Sequence, residues 1–74
     1  MSISETHHSS VDLDEAARQL EQAVHDAQVA YDSISLGNLD WAHINAITAR
    51  AAADAAENVL RVALNARGAD VHDR

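Results

Sequence analysis

Five histidines, His7, His8, His25, His43 and His72, are the residues of this 74-residue chain best suited to hold a metal ion or move a proton. Their spacing builds no site. A metal held on a helix needs two ligands one turn apart, and no His-x-x-x-His pair occurs. His7 and His8 fall in a polar leader, while His25 and His43 fall on the polar faces of separate segments. No metal or other cofactor is expected. Nucleophilic catalysis is no better served, because cysteine is absent and the serines either crowd the first ten residues or stand as Ser33 and Ser35 with no supporting histidine. The adjacent acids Asp14 and Glu15 suit the start of a helix. These patterns point away from an enzyme.

Charge narrows the partners. Twelve acids against five arginines leave a net charge of −7, and phosphate affinity comes chiefly from Lys and Arg, so direct nucleic-acid binding is not expected. The charge is unevenly placed: residues 1–40 hold eight acids and one base, whereas residues 41–74 hold four of each. An acidic, elongated helical protein could instead occupy a basic groove built for nucleic acid, an alternative role as a nucleic-acid-mimic inhibitor.

The elements that would position any surface are helical. Proline is absent, glycine occurs only at Gly37 and Gly68, and alanine dominates the middle of the chain. Residues 1–10 read as a mobile tail. Asp12 and Glu15 have the spacing of a capping box, which predicts a first helix over about residues 13–36. Gly37 then supplies a C-terminal stop and Asn38 or Asp40 a cap for a second helix over about 39–67. Gly68 ends it, and residues 69–74 fray. The fold class is therefore all-α: an antiparallel two-helix hairpin spanning residues 11–68.

Within the first helix Leu13, Ala17, Leu20, Val24, Ala27, Tyr31 and Ile34 recur in alternating steps of four and three, the period of a seam facing one partner helix. Trp41, Asn45, Thr48, Ala52, Ala55, Val59, Val62 and Ala66 repeat the pattern in the second. Folding at Gly37 with position numbers summing to about 76 would set Leu20 and Val24 on Ala52 and Ala55, Tyr31 on Asn45, and Ile34 under a Trp41 lid. The acidic start of the first helix would lie beside Arg61 and Arg67.

A hairpin of this size is marginal alone, because it has neither a disulfide nor a thick core. Apolar residues are left over off the seam: Ile47, Leu60 and Leu64, and a flank of Ala16, Ala23 and Ala30 spaced by sevens. These, with Trp41, are the candidate protein-interface residues. They predict a homodimer closing into a four-helix bundle. No run approaches the roughly 18 apolar residues of a membrane span, and the first ten residues lack the pattern of a secretion signal, so a cytoplasmic protein is expected. The function these features suggest is a small acidic, non-enzymatic interaction module that docks on a partner protein to modulate or scaffold it.

Overall fold

Among the described residues the chain reverses direction once, at Leu36, Gly37 and Asn38, and local chemistry explains the turn. Gly37 has a φ of +76°, the left-handed conformation that costs a glycine little. Its N–H donates to Ile34 O at 3.0 Å, and the Asn38 N–H donates to Ser33 O at 2.9 Å, the two bonds of a Schellman C-cap. Asn38 also begins the next helix, since its side-chain Oδ1 accepts from the Trp41 N–H at 3.0 Å. One residue thus ends one helix and caps the next, which keeps the connection short and sets the helices side by side.

In this computed structural model backbone structure is described for residues 8–72 and side-chain environments for residues 13–67. The helices are α1, His8–Ser35, and α2, Leu39–His72, and they pack against each other along their length. The Cα atoms extend over 54 × 30 × 12 Å with a radius of gyration of 16.8 Å. A compact chain of this length would have a radius of about 11 Å. The hairpin is a layer one helix thick.

Both helices outrun the bounds read from the sequence. α1 begins at His8, so His8, Ser9 and Ser10 belong to the helix and not to a tail, and Asp12 is an interior residue instead of a cap. Glu15 binds forward to Arg18 and Gln19 instead of reaching back. α2 continues through Gly68 to His72, because one glycine costs a helix only about 1 kcal/mol relative to alanine. Residues 1–7, 73 and 74 lie outside the described residues.

The seam between the helices differs from the expected one. On α1 the covered row is Ala16, Gln19, Ala23, Asp26, Ala30 and Ser33; on α2 it is Ala42, Asn45, Ala49, Ala52, Ala56, Val59 and Ala63. Both rows alternate steps of three and four, the signature of two helices crossing at a shallow angle. Taken in order away from the turn, Ser33 and Ala42, Ala30 and Asn45, Asp26 and Ala49, Ala23 and Ala52 keep position numbers that sum to 75. The residues predicted to close the hairpin on α1 are exposed: Leu13, Leu20, Val24, Tyr31 and Ile34 all keep two-fifths or more of their surface in solvent. The bulk of α1 has been rotated outward and its alanine flank turned inward. Small side chains let two long helices approach closely, and no large side chain among the described residues is fully buried.

The turn supports a direct test. A Cβ added at Gly37 meets nothing within 4 Å, so Gly37→Ala carries only the backbone penalty of a left-handed alanine. We expect a loss of about 1–2 kcal/mol in chemical denaturation, with Gly37→Asn losing less because asparagine tolerates that conformation.

Candidate interaction surface

The surface follows from the seam. With about 100° per residue, Leu13, Leu20, Ala27 and Ile34 stand roughly 80° round α1 from the covered row, and Ala17, Val24 and Tyr31 about 130° round on the same side. None of these seven is charged. The corresponding flank of α2 holds Leu39, Ala46, Ala53 and Leu60, with His43, Arg50, Glu57 and Leu64 beyond it. Antiparallel neighbours are related by an approximate two-fold axis normal to their layer, so equivalent flanks lie on the same face. One face of the hairpin is therefore apolar across α1 and the inner flank of α2, with His43, Arg50 and Glu57 along its α2 edge.

Its members are open to solvent. Val24 is 69 %, Tyr31 67 % and Leu39 68 % exposed, and Leu60, the best covered of the large ones, is still 38 % exposed. The whole chain presents 5813 Å² of accessible surface at a mass of 7.9 kDa. A compact monomer of that mass presents about 4,400 Å², so this chain carries an excess of roughly 1,400 Å². Scattered exposed aliphatics are ordinary on small proteins, whereas neighbouring ones gathered on one face make it the candidate interaction surface.

The opposite face is mixed. From α1 it receives Glu15, Arg18, Gln22, His25, Val29 and Asp32, and from α2 Trp41, Ile44, Thr48, Ala55, Asn58 and Val62. Its polar members bond within their own helices: Glu15 accepts from Arg18 and Gln19, Gln22 Nε2 donates to Asp26 Oδ1 at 3.0 Å, Asp32 Oδ1 accepts from Gln28 Nε2 at 3.0 Å, and Asn58 Oδ1 accepts from Arg61. Among the described residues no ion pair crosses between the helices: neither Arg61 nor Arg67 pairs with Asp14 or Glu15, while the side chain of Asp12, on which the same expectation rested, lies outside the described residues.

Of the four polar side chains in the seam rows, Gln19, Asp26, Ser33 and Asn45, two are buried. Ser33 is buried and returns its hydroxyl to Val29 O at 2.8 Å. Asp26, also buried, keeps the Gln22 amide and lies 3.6 Å from His25 Nδ1. No buried side-chain nitrogen or oxygen among the described residues lacks a partner. The seam is narrow but fully hydrogen-bonded.

The candidate interface residues fall into four groups. Ala16 and Ala30 are buried and Ala23 is half-buried between the helices, which corrects their expected place on a surface for a second copy. Leu60 and Leu64 stand on the apolar face. Ile47, 42 % exposed, lies on the outer edge of α2 directly away from α1, and Trp41, 52 % exposed, lies on the mixed face. Trp41 is no lid over Ile34, which is itself 60 % exposed on the other face. Tyr31 does not reach Asn45, whose Nδ2 donates to Trp41 O at 2.9 Å. Ile44, exposed beside Trp41, was not singled out by sequence periodicity, because it belongs to neither row.

Glu15 has a perturbed titration. A hydrogen bond from Gln19 Nε2 at 2.8 Å, followed by the hydrogen bond and charge of Arg18, holds its carboxyl below the ordinary value of 4.5. A lowered folded-state pKa means that the stabilisation is present above the unfolded value and is lost as pH falls through the folded one. We expect a carboxyl titration followed by NMR to place its midpoint below 4.5, and Gln19→Ala to move it upward.

No helix among the described residues is long and apolar enough to cross a membrane, and these residues contain no group of three or more His, Asp or Glu placed to hold a metal. Comparison with protein-family models, curated proteins and solved structures finds no match to the chain.

Proposed function

We propose that the chain is a small, non-enzymatic protein-interaction module. Two copies close into a four-helix bundle through the apolar face, and the bundle docks on a partner protein to modulate or scaffold it. The supporting observation is that face: Leu13, Leu20, Val24, Tyr31, Ile34, Leu39, Leu60 and Leu64 remain exposed after the hairpin has formed. A seam of alanines stabilises a hairpin weakly, since burial contributes about 25 cal/mol for each Å² of apolar surface and a methyl group supplies little. Covering the larger side chains supplies what the seam lacks.

The area suffices. At roughly 100 Å² left exposed on each of these eight side chains, a copy offers about 800 Å², the contribution of one partner to a standard-size stable interface. Sedimentation equilibrium at micromolar concentration should give twice the chain mass of 7.9 kDa, with a melting temperature that falls on dilution. A monomer mass with a cooperative melt indifferent to concentration would reject the dimer. Docking of the bundle by apolar contact should persist in high salt, whereas binding as a nucleic-acid mimic should weaken steeply.

A further inference from the structure

We infer that the second copy lies antiparallel on the apolar face, α1 against α1 and α2 against α2, with the two turns at opposite ends of the bundle. This arrangement rests on the dimeric reading above and specifies its geometry. Two flat hairpins pressed face to face with two-fold symmetry have two solutions, because the axis lies in the interface either along the helices or across them. Along the helices, α1 covers the partner's α2 and both turns share one end. Across them, each helix covers its own copy and the turns separate.

The side chains discriminate between the two. The apolar stripe of α1 is wide, reaching from Leu20 and Ile34 out to Ala17, Val24 and Tyr31 without a charge. That of α2 is narrow, because His43, Arg50 and Glu57 occupy the equivalent outer flank. If α1 covered α2, Arg50 would lie over Val24 and Glu57 near Leu20, since positions at equal height have numbers summing to about 75. Placing charges on aliphatic side chains is costly. With α1 on its own copy, a wide apolar stripe meets a wide apolar stripe.

Size complementarity and the placement of the α1 acids agree with this choice. A two-fold axis near Val24 sets Leu20 toward Ala27 of the partner subunit and Ala17 toward the partner's Tyr31, so large side chains meet small ones. The acids Asp14 and Glu21 fall on the outer edge of α1, away from the contact. On α2 the same axis falls near position 51 and sets Arg50 beside the partner's Arg50 at the rim, where these long side chains reach solvent.

The turn-to-turn distance decides the matter. Leu36 is 83 % exposed at the turn, and the chain has no cysteine, so Leu36→Cys offers a single labelling site that disturbs no packing. Twelve residues of helix separate Leu36 from Val24, so spin labels there should lie about 35–40 Å apart in a dimer of this kind. Turns at one end would give about 20 Å or less. A second variant, Val24→Cys, should cross-link to itself under mild oxidation, since the two side chains meet at the axis. A short distance in a species of twice the chain mass overturns the antiparallel arrangement and leaves the dimer standing. A monomer mass removes both.

Discussion

Replacing Leu20 and Val24 together with aspartate should convert the protein from a species of twice the chain mass into a monomer over the micromolar range. Both residues stand on the apolar face, 43 % and 69 % exposed in the isolated hairpin, so neither contributes much to the seam. Full burial of a leucine or valine stabilises by about 1.5–3 kcal/mol. Only the surface still exposed in the hairpin is buried on pairing, and two-fold symmetry counts each substitution twice, so the dimer should lose about 3–7 kcal/mol, which raises its dissociation constant by about two to five orders of magnitude. Introducing four carboxylates into the contact adds repulsion. Ile44→Asp, on the mixed face, is the matched control and should leave the mass unchanged. If Ile44→Asp dissociates the dimer and the double variant does not, the copies meet through the wrong face for this account.

The rotation of α1 explains how much of this surface was legible in the sequence. Seven uncharged residues in steps of four and three identify which side of the helix must leave water. The pattern does not identify what covers it. Assigning that stripe to the neighbouring helix was the economical reading of one chain, yet the alanine row at Ala16, Ala23 and Ala30 offers a closer approach, and the structure uses it. α2 could not correct the error. Alanines surround its middle almost completely, so its two possible rows differ only in phase and share Asn45, Ala52 and Val59. The turn was legible because Gly37 and Asn38 have individual conformational roles, whereas the helix ends were not, since no proline halts either helix. Leu60 and Leu64 stand out in the sequence as large residues off both rows and are exposed in the hairpin, whereas Ala16, Ala23 and Ala30 lie in the seam because methyl groups suit a seam as well as a surface.

The phase of α2 is open to a sharp test in a pair of adjacent alanines. Ala56 is fully covered, at 0 % exposure, and belongs to the observed seam, while Ala55 is half-buried on its flank toward the mixed face. The rejected phase would have put Ala55 in the seam and Ala56 outside it. Leucine at position 56 must find room between two helices whose facing side chains are mostly methyl groups. It can do so only by forcing the axes apart or leaving its preferred rotamers, at a cost of about 1–3 kcal/mol. Leucine at position 55 can extend along the open flank, with a change of about 0.5 kcal/mol or less. Alanine and leucine are both strong helix formers and the sites are neighbours, so propensity cancels in the comparison. Ala52→Leu, at an 8 % exposed seam position, should resemble Ala56→Leu, and Ala51→Leu, at an exposed one, should resemble Ala55→Leu. The measurement is denaturant unfolding of all four variants at one protein concentration well above the dissociation constant, so that dimer stability enters each equally. If Ala55→Leu is the more damaging of the first pair, the helices meet in the phase whose numbers sum to 76, α1 turns its leucines inward, and the apolar face on which the dimer depends does not exist.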